Sequence, residues 1–160
     1  TGFHRATGTP CVVKIVNKAK SGRNYLRRMV DDDLYGRLLR MTRDGSTEHI
    51  VAFLDFLVGP RFCYIIMEPL TGDELFDYVS MQAPVSEGFC HRVMCQALVA
   101  LKVVHSAGLI HRDVKLESFR FRNHGSFASL VLLDFGLSCL EPELSDENMD
   151  VVGTQMYSAP

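Results

Sequence analysis

Residues 110–118 read IHRDVKLES, and residues 133–136 read LDFG. Either motif alone is short enough to arise by chance, but their order and spacing together form a specific signal. They supply two carboxylates, Asp113 and Asp134, and a lysine, Lys115, that lies two residues after the first carboxylate. Phosphoryl transfer needs one carboxylate that orients the acceptor hydroxyl and another that holds magnesium on the phosphates. Asp113 and Asp134 are candidates for these two roles.

Two further motifs lie on either side of this pair. Residues 11–14 read CVVK, which is similar to a Val-Ala-Ile-Lys strand, and residues 153–160 read GTQMYSAP, which is similar to Gly-Thr-x-x-Tyr-x-Ala-Pro-Glu. With these motifs in this order, the chain resembles the eukaryotic protein kinases of the serine/threonine type, which carry a lysine at the position of Lys115. The resemblance implies transfer of the γ-phosphate of ATP, with Mg²⁺, to a Ser or Thr hydroxyl of a protein substrate.

The resemblance also implies the fold. We expect an α+β, protein-kinase-like chain with a small β-rich lobe and a helical large lobe, truncated at both ends. Residues 1–70 would form a partial N-terminal lobe, and residues 71–160 a partial C-terminal lobe that ends at the Ala-Pro of the activation segment. The glycine-rich phosphate loop of the family is missing, because no Gly-x-Gly-x-x-Gly pattern precedes residues 11–14.

Individual positions of this sequence acquire roles through the same resemblance. Lys14 would hold the phosphates, Asp113 would orient the acceptor hydroxyl, and Lys115 would neutralise the transferring phosphate. Asp134 and Ser118 would bind the metal ion. The positions implied to bind the nucleotide are Val12, Lys14, Met67, Glu68, Leu70 and Glu74. Strand parity is compatible with this, because residues 12 and 14 of an extended strand share one face.

Apolar residues recur at three- and four-residue intervals over about residues 25–41, which predicts a helix. Kinases place here a glutamate that pairs with the strand lysine, but this stretch contains no Glu. Asp31 fits the position best and is our candidate partner for Lys14, although the run of three aspartates is equally typical of a solvated surface. Further along, Ser86 is the expected N-cap of a helix that ends at Gly108.

The stretch around residue 74 narrows the resemblance. Residues 72–76 read GDELF and residues 13–18 read VKIVNK, which look most like the calcium- and calmodulin-dependent group of kinases. No EF-hand loop is present, so calcium regulation does not follow. Thr71 or Asp73 is the expected N-cap of the helix that begins here. Glu74 would contact the ribose or a basic substrate residue, or as a first-turn acid it would simply favour the helix dipole.

Three residues depart from the family pattern. Ser118 stands where an Asn normally binds a second metal ion, and a hydroxyl is the weaker magnesium ligand. Arg120 replaces an apolar residue beneath the adenine, where a guanidinium could stack on a purine or obstruct the pocket. Asp31 replaces the helix glutamate. Together these departures leave an alternative open, namely a pseudokinase or non-catalytic scaffold that binds partners or nucleotide without turnover.

The acidic segment before Gly153 suggests a further contact. In many kinases a phosphorylated residue three positions before this glycine pairs with the arginine of the catalytic loop. Here that position is Asp150. We hypothesise that Asp150 pairs with Arg112 without phosphorylation, and an acidic loop that is merely solvated is the equal alternative.

Composition is that of an ordinary folded protein, with 160 residues, 47% hydrophobic content and a formal net charge of −2. Five cysteines without a Cys-x-x-Cys pair, and no signal peptide, predict reduced thiols in a cytoplasmic or nuclear setting. His91 and Cys95 stand four apart, but no second pair completes a metal site, so we expect a surface histidine and a buried cysteine. We expect a protein substrate and ATP as partners, no nucleic acid, and no membrane span.

Overall fold

The computed structural model describes residues 1–43, 47–140 and 152–157. The chain forms two compact units. The first comprises Thr1–Thr47 and Val51–Pro69, and the second comprises Glu48–Ile50 and Leu70–Pro160. The short segment Glu48–Ile50 thus folds with the second unit, because Ile50 forms a parallel bridge with Leu132.

A four-stranded antiparallel sheet forms most of the first unit. Its strands are β1 (Gly2–Phe3), β2 (Pro10–Asn17), β3 (Phe53–Val58) and β4 (Phe62–Met67), in the order β1-β2-β4-β3. Val12 pairs with Met67 and Lys14 pairs with Ile65. Directly opposed residues of antiparallel strands share a face. Val12, Lys14 and Met67 therefore lie on one side of the sheet, and strand parity predicts this for Val12 and Lys14.

The stretch predicted as one helix is divided into three pieces. Helix α1 spans Arg23–Leu26, a π-helical turn spans Arg27–Asp31, and helix α2 spans Leu34–Thr42. The division falls at Asp33, whose backbone is left-handed with φ of 54°. Its carboxylate accepts a hydrogen bond of 2.9 Å from Nη2 of Arg40. A Cβ atom at Gly36 would overlap the Asp33 carboxylate, so a larger residue there would displace that exposed side chain.

In the described part of the chain, the aspartate run at residues 31–33 does not form the ion pair that the sequence predicts. Asp31 is exposed, and ion pairs are formed by its neighbours instead, Asp32 with Arg27 and Asp33 with Arg40. The contact expected between Asp31 and Lys14 is not seen among the described residues. The solvated reading of the aspartate run therefore fits the structure better than the ion-pair reading.

Helix α2 is nevertheless a core element of the first unit. Leu34 and Leu38 are fully buried, and so is Ile65 on β4. Tyr35 stacks on Phe56 of β3 with a ring separation of 4.4 Å. Burial of these large apolar side chains fixes α2 to the sheet by the hydrophobic effect.

The second unit contains two helices and two small sheets. Helix α3 spans Leu75–Gln82 and helix α4 spans Glu87–Ser106. Strand β5 (Leu109–Ile110) pairs with β8 (Cys139–Leu140), and β6 (Phe119–Phe121) pairs with β7 (Leu130–Leu132). All these pairs are antiparallel. No helix of residues 1–43, 47–140 and 152–157 combines the length and the apolar character that a membrane crossing requires.

The ends of the helices test the capping predictions. Ser86 caps α4 as predicted, because its hydroxyl accepts a hydrogen bond of 3.2 Å from the Phe89 amide. Gly108 follows α4 with a left-handed φ of 68°, which suits a helix stop. At α3 the prediction is wrong: the N-cap is Glu74, not Thr71 or Asp73, and it makes no capping bond with its side chain.

The prediction of a surface histidine and a buried cysteine on α4 is wrong in one respect. His91 and Cys95 lie 3.8 Å apart, from Nε2 to Sγ. Cys95 is exposed rather than buried. Among the described residues no group of three or more His, Cys, Asp or Glu side chains could hold a metal ion. All five cysteines are free thiols, as predicted.

Aromatic packing beneath β6 anchors the strand that follows the catalytic loop. Phe121 lies 5.0 Å from Phe127 and 5.9 Å from Tyr78, measured between ring centroids. Phe119 and Phe121 are buried, whereas Arg120 between them is half-buried on the opposite face. This is the alternation that strand parity predicts.

Candidate active site

Strand pairing brings the two motif loops together within the second unit. The loop of residues 111–118 runs from β5 to β6, and the loop of residues 133–138 runs from β7 to β8. Because β5 pairs with β8 and β6 with β7, the two loops are held at both ends. The Leu133 amide also donates a hydrogen bond of 2.8 Å to the Ser118 carbonyl. The loops that carry Asp113 and Asp134 are therefore neighbours in this unit.

His111 is the buried link between the loops. Its Nε2 lies 2.7 Å from the Leu133 carbonyl, and its ring meets Phe135 edge-on at 4.9 Å. Burial lowers the pKa of His111, although the hydrogen bond to Leu133 and the nearby carboxylates partly oppose this. The imidazole is therefore neutral at pH 7 and donates its Nε2 proton to the carbonyl. It acts as a structural support rather than a charged group.

The central arrangement joins Asp113, Lys115 and Thr154. Nζ of Lys115 lies 2.8 Å from Oδ2 of Asp113 and donates a hydrogen bond of 2.7 Å to the Thr154 hydroxyl. The Thr154 hydroxyl in turn donates to Oδ1 of Asp113 at 2.7 Å. All three side chains thus form a closed hydrogen-bonded triangle. Charged hydrogen bonds of this length are among the stronger ones in proteins.

Electrostatics keep both charged groups of the triangle ionised. Burial acts to raise the pKa of Asp113, but the hydrogen bonds from Lys115 and Thr154 outweigh it and hold that pKa below its usual value. The pKa of Lys115 is raised, chiefly by its hydrogen bond to Asp113. The Asp113 side chain is only 11% exposed. An anionic carboxylate is therefore held in a fixed orientation at neutral pH.

Ser118 holds the backbone of the same loop by a hydrogen bond from its side chain. It is 1% exposed, and its hydroxyl donates a hydrogen bond of 2.7 Å to the carbonyl of Asp113. The hydroxyl hydrogen is therefore committed to the backbone of the loop. Only the lone pairs of this oxygen remain for any further ligand.

Asp134 begins the second loop in a special backbone conformation. Its φ of 58° is left-handed, and a 3₁₀ turn, Phe135–Leu137, follows it. Arg112 is also left-handed, with φ of 65°, and its Nε donates to the Leu137 carbonyl at 2.6 Å. Left-handed non-glycine residues are uncommon and often mark functional loops. The hypothesised partner of Arg112, Asp150, lies outside the described residues.

The residues implied to bind a metal ion suit magnesium. Mg²⁺ is commonly bound by one or two carboxylates together with substrate phosphates and water. Asp134 supplies one carboxylate, the kind of hard oxygen ligand that Mg²⁺ takes. This carboxylate therefore fits a magnesium ion whose other ligands are phosphate oxygens and water.

Arg120 and Glu74 contact each other. Nη1 of Arg120 lies 3.4 Å from Oε1 of Glu74, and Nε of Arg120 donates to the Gly72 carbonyl at 2.7 Å. Residues 74 and 120 also form an antiparallel backbone bridge. Gly72 is required here, because a Cβ atom would overlap the backbone of Phe121. The sequence placed both side chains near a nucleotide but did not predict that they would pair.

The remaining candidate residues lie on β4 and just beyond it. Met67 ends β4. Glu68 turns its carboxylate back within the first unit, where Oε1 accepts a hydrogen bond of 2.9 Å from the Ala52 amide. The Glu68 amide donates to the Ala52 carbonyl at 3.0 Å. Leu70 is the first residue of the longer stretch of the second unit.

Two residues of the site were missed. Thr154 was noted only as a family match, although its hydroxyl bridges Asp113 and Lys115. Tyr157 donates a hydrogen bond of 3.1 Å to Oε2 of Glu117. The available signal in the sequence was the pair Gly153-Thr154 followed by Tyr157 three residues later. Sequence spacing could not show which loop these side chains would contact.

The chain is similar to known proteins along its whole length. The Protein kinase domain family matches residues 1–160. A probable serine/threonine-protein kinase 2 of Plasmodium falciparum is 30% identical over 96% of this chain and 28% of its own length. Serine/threonine-protein kinase H1 of Homo sapiens is 30% identical over 98% of the chain and 35% of its own length. A serine/threonine-protein kinase of Drosophila melanogaster is 32% identical over 98% of the chain and 20% of its own length.

The chain thus spans between about a fifth and a third of the length of these relatives. An antiparallel sheet with helices, the matched loops and the match over the full chain agree with the α+β, protein-kinase-like fold predicted from the sequence. The chain belongs to the Protein kinase domain family.

Proposed function

We propose that this chain is the catalytic part of a serine/threonine protein kinase that transfers the γ-phosphate of ATP to a Ser or Thr hydroxyl of a protein. The supporting observation is the triangle of Asp113, Lys115 and Thr154, with its three contacts of 2.7 to 2.8 Å. It presents an ionised carboxylate in a fixed orientation beside a lysine. A hydroxyl acceptor and a negatively charged phosphate need these two groups.

In the proposed reaction, Asp113 accepts a hydrogen bond from the acceptor hydroxyl and aligns its oxygen. This oxygen forms a bond to the γ-phosphorus while the bond from that phosphorus to the β,γ-bridging oxygen breaks. The acceptor proton passes to Asp113, and ADP leaves. Lys115 offsets negative charge on the transferring group, because its ammonium lies beside Asp113. Lys14 holds the ATP phosphates in this proposal.

Asp134 would hold the magnesium ion, and Ser118 is proposed as a second contact through its oxygen. When bound, Mg²⁺ neutralises phosphate charge and orients the phosphates. Ser118 has a second proposed role, because its hydrogen bond to the Asp113 carbonyl fixes the backbone of the catalytic residue. The two roles are separable by experiment.

For the nucleotide, we propose contacts with Val12, Met67, Glu68, Leu70 and Glu74. Two of these share one face of the sheet with Lys14, since Val12 and Met67 are directly opposed on neighbouring strands. We assign residues 1–70 to the small lobe and residues 71–160 to the large lobe of the kinase domain.

We also propose a finer placement within the family. Residues 13–18 and 72–76 support the calcium- and calmodulin-dependent group. The five free thiols support a reducing setting, such as the cytoplasm or nucleus. A protein substrate and ATP are the proposed partners.

The experiment is transfer of labelled phosphate from magnesium ATP to a mixed Ser/Thr peptide library by the full-length protein. Asp113→Asn serves as the blank, and Asp77→Asn on the exposed face of α3 serves as the matched control. Transfer above the blank by the wild type and the control supports the kinase. Absence of transfer by folded wild-type protein would instead support a non-catalytic scaffold. The triangle of Asp113, Lys115 and Thr154 does not favour that alternative.

A further inference from the structure

Two short helical turns face each other in the second unit. One is the 3₁₀ turn Leu116–Ser118 of the catalytic loop, and the other is the 3₁₀ turn Gln155–Tyr157. The hydroxyl of Tyr157 donates a hydrogen bond of 3.1 Å to Oε2 of Glu117. The side chains of the two turns are therefore joined directly.

The same segment is attached at its other end by Thr154. This hydroxyl bridges Asp113 and Lys115, both at 2.7 Å. Between the two attachments, the Tyr157 amide donates to the Thr154 carbonyl at 2.9 Å, which closes the turn. A displacement of Tyr157 is therefore transmitted through one turn of backbone to the Thr154 hydroxyl.

From this geometry we infer that Tyr157 and Glu117 are positioning residues, which keep the Thr154 hydroxyl on Asp113 and Lys115. The inference rests on the proposed function, because it assigns a purpose to the same triangle. Tyr157 and Glu117 touch neither reacting atom in this account. They act by restricting the segment that carries Thr154.

The chemistry of the contact supports a stable anchor. Burial and the hydrogen bond to Glu117 raise the pKa of Tyr157, so the hydroxyl keeps its proton and remains a donor at neutral pH. The acceptor is a carboxylate, which forms a stronger hydrogen bond with a neutral donor than a carbonyl does. Tyr157 is 42% exposed, so packing holds it only in part and the hydrogen bond adds to the attachment.

Gly153 completes the geometry of the segment. Its φ is 124°, a conformation that favours glycine, and a Cβ atom there would lie 3.0 Å from the Arg112 carbonyl. The segment thus approaches the catalytic loop closely just before Thr154. With a close approach at one end and the Tyr157 bond at the other, Thr154 has little freedom to turn away.

The test uses kinetics of phosphate transfer by the full-length protein. Tyr157→Phe removes only the hydroxyl, and we expect kcat to fall about three- to ten-fold, the effect of one partly exposed hydrogen bond, with KM for ATP changed less than about two-fold. Glu117→Leu should do the same. Glu117→Gln, which retains an acceptor oxygen, should lose less. Tyr78→Phe is the matched control, because no hydrogen bond of the Tyr78 hydroxyl occurs among the described residues.

A double variant separates positioning from a general loss of packing. If Tyr157 acts through Thr154, then Tyr157→Phe should have almost no further effect on kcat once Thr154→Ala is present. Independent, multiplying effects of the two substitutions would overturn the inference. So would an unchanged kcat in both Tyr157→Phe and Glu117→Leu.

Amide hydrogen exchange distinguishes this inference from the proposed function. In Tyr157→Phe and Glu117→Leu, but not in Tyr78→Phe, exchange of the amides of residues 153–157 should quicken several-fold. If the wild type transfers no phosphate above its blank, the proposed function fails, and the exchange result alone decides whether the anchor exists. Unaltered exchange in both variants would refute the anchor whether or not the protein is active.

Discussion

Removal of the Ser118 hydroxyl is the perturbation that the structure defines most sharply. Ser118 is 1% exposed, and its hydroxyl donates a hydrogen bond of 2.7 Å to the carbonyl of Asp113. In Ser118→Ala that carbonyl loses the donor that the buried hydroxyl supplies. A buried polar group that loses its partner costs about 1–3 kcal/mol.

Part of this free energy should appear as a higher activation barrier, since the carbonyl belongs to Asp113, the residue proposed to orient the acceptor hydroxyl. If about 1–2 kcal/mol is expressed in the transition state, kcat falls about 5- to 30-fold. The assay is labelled phosphate transfer to a Ser/Thr peptide by the full-length protein, measured over a range of magnesium concentrations. The magnesium series asks whether the Ser118 oxygen is also a metal ligand, because loss of a ligand raises the concentration needed for half-maximal rate.

Ser106→Ala provides the comparison. It also removes a serine-to-carbonyl bond of 2.7 Å, from Ser106 to Lys102, but at an exposed helix end where water replaces it. Its rate should remain within about two-fold of the wild type, as for most exposed substitutions. A Ser118→Ala protein with the same rate as Ser106→Ala would refute the claim that the buried bond supports Asp113.

Three further predictions follow from the same unit. Arg120→Leu should lower the melting temperature of the full-length protein by only a few degrees, measured by calorimetry. The side chains of Arg120 and Glu74 are 37% and 44% exposed, and such ion pairs contribute about 0–1 kcal/mol to stability. Arg120→Lys should lower the melting temperature less than Arg120→Leu. The pKa of His111 is lowered from its ordinary value of 6.5. The neutral, buried imidazole therefore stabilises the fold fully above pH 6.5. This stabilisation is lost as the pH falls, because the unfolded chain then binds the proton more readily. As the pH is lowered from about 7.5 to about 5.5, the melting temperature should therefore fall less in His111→Asn than in the wild type. The exposed control His105→Asn should follow the wild type. Asp134→Ala should reduce phosphate transfer to the level of the catalytic-loop blank, and transfer that survives at high magnesium would contradict its assignment.

Much of the fold was predictable because its signals are local. The strand Pro10–Asn17 follows from an apolar run, and the helix Glu87–Ser106 follows from three- and four-residue apolar spacing. Ser86 and Gly108 mark the helix ends by their own chemistry. The fold class followed from the order of the motifs, which the match to the kinase family confirms.

The parts that could not be predicted depend on contacts or conformations without a local signal. Apolar spacing continues across Asp33, so nothing in the pattern shows that this residue turns left-handed and divides the helix. The pairing of Glu74 with Arg120 joins residues 46 positions apart. Thr154 and Asp113 are 41 apart. Long-range side-chain contacts of this kind arise from tertiary packing, which periodicity does not encode.

The two departures on and beside β6 have different consequences for the site. Ser118 gives up an amide but retains a donor, and it places that donor on the backbone of Asp113. Arg120 is directed by its bonds to Gly72 and Glu74, while Phe119 on the opposite face keeps the strand packed in the core. The guanidinium is thus held by Gly72 and Glu74 without disturbing the core, and its stacking on a purine or obstruction of the pocket stays a prediction. Its effect is electrostatic, because it balances the one carboxylate at the start of α3 that we propose as a nucleotide contact.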